Sequence, residues 1–348
     1  MIKYFRKIRQ ELLNKGKTTK YLKYAIGEIV LVVIGILIAL AINSKYNDAQ
    51  NEKKTQTILK QVQKELLTDI KEAKRIFGKK LQSVSYVQNI LNNKLTVEYF
   101  KKNPLTVFFS YRMVSFSNKK TGYERFKQNL ENLPEKYNIL LPYFNQLFRE
   151  YQNELDDYNE AIKDYANNER YDDFETNPNS YLWYTDRVYD DDEAKTILND
   201  PYLKNKIIGH AFYLNRISRS ANDYRILSIE FYKKIDMLLG TQPTYYPDIL
   251  STIPKENVLK DILGKYTKMG NENPAEITIT LSDKKEYLEI NHSEFGEMKV
   301  FWNGDDYYFM EKYEATFKPY KNEKGQQVWE ATNELLKTIY IKTSDLNL

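Results

Sequence analysis

The chain has 348 residues, no cysteine, two histidines and 30 tyrosines, and its net charge is +4. Without cysteine there are neither disulfides nor thiol chemistry, and His210 and His292 lie too far apart to make a histidine-rich zinc site. Lys3, Arg6, Lys7, Arg9, Lys15, Lys17, Lys20 and Lys23 against Glu11 put +7 into the first 24 residues and leave −3 for the rest, which offers no basic face for nucleic acid.

The eight cations belong to a basic segment, residues 1–24. Ile2, Phe5, Ile8 and Leu12 follow helical spacing up to Gly16, so the segment reads as a short helix on an anionic membrane surface. Next comes the run AIGEIVLVVIGILIALAI, Ala25–Ile42, in which eleven of the fourteen residues from Ile29 onward are Leu, Ile or Val. These contribute roughly −3 to −7 kcal/mol to insertion, more than the roughly 3 kcal/mol that Glu28 opposes. Residues 25–43 are therefore expected to cross a membrane. The positive-inside rule places the N-terminus in the cytoplasm and the remainder outside it. Ala39-Leu40-Ala41 is also a formal signal-peptidase site, but the charged region and the apolar run are both longer than a cleaved signal needs.

Within the span, Glu28, Gly35 and Ala39 share one stripe at spacings of seven and four. A small-x-x-x-small pair lets a second helix approach closely, and an intramembrane carboxylate favours a partner; equally, Glu28 could reach toward water beside Lys23. This stripe is the candidate contact face, toward another membrane protein or a second copy of the chain.

Residues 44–240 carry three long apolar stripes. The first is Val62, Leu66, Ile70, Ala73, Phe77, Leu81 and Val84, at steps of 4, 4, 3, 4, 4 and 3, and predicts a helix running on from the membrane. The second is Tyr137, Leu141, Phe144, Phe148, Tyr151, Leu155, Tyr158, Ile162 and Tyr165, a heptad seam that Pro142 either kinks or begins. The third opens at Asp200-Pro201, includes His210 as a packed core histidine and ends at Gly240. Shorter helices are expected over Thr106–Phe116 and Gly122–Leu130. Asp190-Asp191-Asp192-Glu193 lacks the ligand order of a calcium loop and reads as a helix N-terminus.

A proline-bearing linker, residues 241–258, precedes a change of period to two. Ile277–Leu281, Tyr287–Ile290, Met298–Phe301, Tyr307–Met310, Ala315–Phe317, Gln327–Trp329 and Thr338–Ile341 predict seven short strands within residues 259–348. The fold expected is α+β: an N-terminal transmembrane helix, an antiparallel bundle of three to four helices, and a small C-terminal antiparallel β-barrel or curled sheet.

At Met1-Ile2-Lys3-Tyr4-Phe5-Arg6-Lys7-Ile8-Arg9 and from Lys20 to Ile36, the chain resembles an uncharacterised family of Bacteroidota single-pass membrane proteins, domain of unknown function 6090. The likeness covers the first forty-five residues and includes Glu28; Asp200-Pro201 before a long helix is similar to the family's later pattern. It implies an inner-membrane anchor with a periplasmic domain and carries no assigned activity. Leu263-Gly264-Lys265-Tyr266 resembles the opening of lipocalin-like domains appended to beta-lactamase-like hydrolases.

The functional expectation is a non-catalytic envelope scaffold or interaction protein, held in the inner membrane, with a periplasmic partner and no cofactor. The alternative is a ligand- or lipid-sensing module using the β-domain. A third reading, a carboxylate-dependent hydrolase, would draw on Asp156-Asp157 or Asp190–Glu193, but adjacent acids on a helix point in different directions. The abundant tyrosines suit helix packing better than sugar stacking.

Overall fold

The computed structural model describes residues 6, 18–92, 94–103, 109, 112–176, 190–199, 202–270, 274–310, 315–333 and 336–345. Its longest element is α1, Thr18–Leu91, an unbroken helix of 74 residues, or about 110 Å at about 1.5 Å per residue. No proline falls within it, and its three glycines are too few and scattered to break it. The expected continuity from the apolar run into the bundle is observed. Residues 43–50 are exposed on every side, and Thr55 begins the packed part.

After α1 come α2 (Val97–Lys102) and α3 (Thr121–Gln128). A 3-10 turn, Glu135–Leu140, leads into α4 (Leu141–Asn145), whose first turn holds Pro142. There its missing N–H costs nothing, so Pro142 marks the start of a helix and not a kink. α4 passes through a π-helical turn, Gln146–Glu150, into α5 (Tyr151–Thr176). That turn interrupts the heptad rhythm: it buries Leu147 beside Phe148, while Leu141 is left exposed. α6 (Asp191–Leu198) opens with a capping box between Asp190 and Glu193, as expected of that acidic run. The expected start of the third long helix at Asp200-Pro201 lies outside the described residues; α7 (Leu203–Leu239) ends on Gly240 in the left-handed conformation.

α7 runs antiparallel to α1, since Gln63 meets Asp236 and Asp69 meets Tyr224. It is also antiparallel to α4–α5, since Tyr143 meets Glu230, Glu154 meets Ser220 and Tyr165 meets the carbonyl of Lys206. These three long helices share one apolar core. On α1 the core follows Val62, Leu66, Ala73 and Ile76 and then shifts to Val87 and Ile90, leaving Leu81 and Val84 half-buried. His210 is fully buried, and its Nε2 lies 2.7 Å from the carbonyl of Arg112, as a core histidine should be.

The fourth arm of the bundle is not a helix. The described part of the expected helix over Thr106–Phe116 is irregular from residue 112, and the chain forms no regular element until α3 begins at Thr121. Val114, Phe116 and Asn118 are buried while Met113, Ser115 and Ser117 are exposed, a strand-like alternation.

The tail is a closed antiparallel barrel in simple meander order: β1 (Gly264–Lys268), β2 (Glu276–Leu281), β3 (Leu288–His292), β4 (Gly296–Trp302), β5 (Tyr308–Met310), β6 (Thr316–Lys321), β7 (Gln327–Thr332) and β8 (Lys337–Ser344). The expected seven strands are all present, and β1 is the eighth. It closes the sheet by pairing with β8 through a bulge at Lys265/Tyr266. Gly264 sits at this seam, where a Cβ would lie 2.5 Å from the Ser344 carbonyl oxygen. An eight-stranded barrel is just wide enough for side chains to fill. Here Trp329 occupies the middle, with the rings of Tyr308 at 5.0 Å, Phe317 at 5.8 Å and Tyr266 at 6.4 Å.

α8 (Glu256–Ile262) straddles the expected boundary between linker and β-domain; Leu259 and Ile262 belong to the barrel core, and Tyr266 donates to the Ile262 carbonyl at 2.7 Å. The barrel meets the bundle at the end bearing α8 and the β4–β5 turn. Phe77 of α1 packs edge-on against Tyr307 at 6.2 Å, Lys74 pairs with Asp305 at 3.0 Å, and Ile70, Ile229 and Leu250 form a small apolar cluster.

Gly122 is the tightest approach of α3 to α1: a Cβ there would lie 2.7 Å from Val62 Cγ2 and 3.1 Å from Glu65 Oε2. Gly122→Ala is therefore expected to lower stability by about 1–3 kcal/mol, the usual cost of overpacking. At Gly78 a Cβ meets open space, and Gly78→Ala is expected to raise stability by about 0.5–1 kcal/mol. Denaturant unfolding of the two variants in detergent reads both signs; equal effects would contradict the packing described.

Candidate functional site

Two regions of α1 carry the chemistry. The first is the apolar stretch. Among the described residues one helix is long and apolar enough to cross a membrane, with an 18-residue window of mean hydropathy 2.9 of which none is buried. Ile29, Leu31 and Ile42 are 63%, 69% and 65% exposed. Water tolerates no such sleeve, and hydrocarbon does. On the candidate contact face Gly35 and Ala39 are exposed and Glu28 is half-buried. A Cβ at Gly35 would meet nothing within 4 Å, so the groove beside it is open. Of the basic residues, Arg6 and Lys23 are exposed, and Lys20 lies in α1. Lys3, Lys7, Arg9, Lys15 and Lys17 lie outside the described residues.

The second region is a polar clamp that the sequence did not disclose. The irregular segment from residue 112 to α3 buries Val114, Phe116 and Asn118, so its buried backbone N–H and C=O groups need partners that no ladder supplies. Side chains supply them. Asn159 of α5 brackets Phe116, accepting from its N–H at 2.9 Å and donating to its carbonyl at 2.6 Å. Asp69 of α1 accepts from the Lys119 N–H at 3.2 and 3.1 Å through both oxygens, and from the Tyr224 hydroxyl at 3.0 Å. One turn earlier, Glu65 accepts from the Gly122 N–H at 2.8 Å and from Gln61 at 2.6 Å. His210 holds the carbonyl of Arg112.

Burial dominates the electrostatics of the clamp. It pushes the Asp69 carboxyl up to about 7, against the hydrogen bonds from Lys119 and Tyr224 that favour its charged form. It also raises the Tyr224 hydroxyl well above its ordinary value and lowers His210. Asp69 is 1% exposed. A carboxyl sealed from solvent in this way holds the segment in place.

The acids singled out by the sequence are not gathered with the clamp: the described acidic cluster outside it is Glu169, Asp172 and Asp173 around Lys206, which Asp173 meets at 2.5 Å. Asp156 and Asp157 are exposed, with Gln152 donating to Asp156 at 2.5 Å, and Asp190 and Glu193 cap α6. No group of three or more metal-ligating side chains occurs among the described residues. Glu65 and Asp69 escaped the sequence reading because they flank the stripe Val62, Leu66, Ile70 in place of interrupting it. The one available signal was the alternation Val114-Ser115-Phe116-Ser117-Asn118, which has the period of a strand.

These two regions lie in one stretch of chain that also appears elsewhere. Residues 28–122 match the model of a family of unknown function, DUF6090. The match begins at Glu28 and ends at Gly122, so it takes in the contact face, the rest of α1, α2 and the clamped segment. The resemblance seen at the N-terminus is thus borne out from Glu28 onward; residues 1–27, Asp200-Pro201 and the barrel fall outside the match. No curated protein and no solved structure matches the chain, and the likeness of Leu263–Tyr266 to lipocalin-like domains gains no support from the comparisons.

The raised Asp69 carboxyl links stability to pH. Its folded value, about 7, exceeds the unfolded value of about 3.9, so the folded state keeps the proton that the unfolded chain has already lost. Stability is then highest below about pH 4 for this group and falls, by an upper bound on the order of 4 kcal/mol, as pH rises through about 7. Asp69→Asn is expected to flatten this fall. Unfolding midpoints of both proteins between about pH 4 and 8 measure it, and parallel curves would remove Asp69 as the cause.

Proposed function

We propose that the protein is a membrane-anchored scaffold of the cell envelope that acts by binding partners and not by catalysis. In this reading α1 crosses the inner membrane once over residues 25–43. The basic segment, residues 1–24, lies against the cytoplasmic leaflet, and the bundle and barrel stand in the periplasm. The observation that carries it is the bare apolar stretch of α1, continuous with a helix whose next residues are polar and exposed. About eight exposed residues act as a spacer of about 12 Å between bilayer and bundle. The charge asymmetry across the span supports the orientation.

The contact face of Glu28, Gly35 and Ala39 then docks a second transmembrane helix, from another membrane protein or another copy, and the outer domains present a periplasmic partner with a rigid surface. The family match supports a role shared through this helix, because it includes the face and omits the barrel. The competing reading, a ligand- or lipid-sensing barrel, is less well supported. Trp329, Tyr266, Tyr308 and Phe317 fill the centre, α8 lies across the bundle-side mouth, and at the far mouth His292 meets Tyr340 with Phe295 beside it at 4.6 Å.

Because the chain has no native cysteine, Ala39→Cys gives a single cross-linking site in native membranes. Adding Gly35→Leu, which fills the open groove, is expected to cut the cross-linked adduct about fivefold or more, equivalent to about 1 kcal/mol. An adduct of unchanged yield would sink the docking face.

A further inference from the structure

Arg225 of α7 is 2% exposed and points into the joint between bundle and barrel. Its guanidinium donates to two backbone carbonyls only, Nη1 to Trp302 at 3.3 Å and Nη2 to Ser251 at 3.4 Å, both at the long end of hydrogen bonding. Its Nε has no partner. Asn303, the residue after Trp302, is 1% exposed, and neither of its amide atoms is hydrogen-bonded. The backbone around them is already committed. The Trp302 N–H donates to Thr252 at 2.7 Å, the Thr252 hydroxyl donates to Glu286 at 2.5 Å, and the Asn303 N–H closes the β4–β5 turn onto Tyr307 at 2.9 Å.

Arg225 has no carboxylate in salt-bridge reach among the described residues. The nearby acids are spoken for: Asp305 pairs with Lys74 and is mostly exposed, and Glu286 is exposed and acts on Lys233 and Tyr143. Burial lowers Arg225 only to about 10, so the group stays cationic at neutral pH. A sealed cation facing carbonyl dipoles alone is an uncompensated charge, and folded proteins supply a counter-charge to such groups.

We propose that this joint binds a small monovalent anion of the halide class, held between the guanidinium of Arg225 and the side-chain amide of Asn303. The donors come from both sides of the joint, one from α7 and one from the β4–β5 turn, so the ion ties barrel to bundle. One negative charge matches one guanidinium. A dianion such as phosphate brings excess charge into a closed site with few donors. The barrel's seat on the bundle then depends on the ion, in a part of the chain outside the family match.

The test uses the full chain in detergent, with chloride replaced by gluconate at constant ionic strength. Gluconate is too large for the closed joint. The unfolding midpoint of the wild type is expected to drop by about 3 °C or more on replacement, as for any ligand bound only by the folded state. Arg225→Met is expected to show equal midpoints in both salts. A wild type indifferent to the exchange, or a variant that keeps the full shift, overturns the proposal. Crystals of the wild type grown in bromide give a second measurement that does not depend on the variant folding. An anomalous peak within hydrogen-bond reach of Arg225 Nε and Asn303 Nδ2 is expected; water or nothing at that position overturns the proposal as well.

Discussion

The irregular stretch from residue 112 to residue 120 lies among the helices of the bundle and pairs with no described strand. The N–H groups of Phe116, Lys119 and, at the start of α3, Gly122 are satisfied by Asn159 of α5 and by Asp69 and Glu65, one turn apart on α1. Each buried amide left without an acceptor would cost about 1–3 kcal/mol, so the carboxylates are a condition for this arm and not an addition to it. The same residues align the neighbours: Tyr224 reaches Asp69 from α7, and Gly122 lets α3 close on Val62. The packing of α1 against α7, α3 and the return arm therefore converges on two turns of one helix.

That helix also serves two solvents. Its first part bears an exposed sleeve of Leu, Ile and Val, long and apolar enough to cross a membrane; its second part has an apolar seam for protein and polar residues for water. Nothing in the backbone marks the change, since the helix continues through the polar spacer. The family match runs along that helix from Glu28 to its end and takes in the arm it grips. The barrel docks on the same helix through Phe77, Lys74 and Ile70, whereas Arg225 and the barrel residues it meets belong to the remainder of the chain.

Much of this was legible in the residues. Periodicity placed α1, α4–α5 and α7, because stripes such as Ile207, His210, Leu214 and Ile217 leave no choice of buried face. The change to period two placed the strands. Closure of the barrel was harder to read, since β1 is only five residues long and opens on a glycine, and its pairing with β8 is a contact across the whole domain. The clamp was the main omission. Thr106–Phe116 has local helical periodicity; the irregular form of its described end, from residue 112 onward, is held by hydrogen bonds from Asn159, Asp69 and Glu65, and no local propensity encodes those. Glu28, Gly35 and Ala39 could be placed on one stripe from spacing alone, whereas the openness of the groove at Gly35 needed the structure.

Amide hydrogen exchange on the full chain in detergent addresses the clamp most directly. With the carboxylates gripping the arm, the amides of Phe116, Lys119 and Gly122 exchange as slowly as those in the packed part of α1, through the same cooperative opening. Exchange of these three amides at the rate of an unstructured loop, while α1 and α7 stay protected, would contradict it.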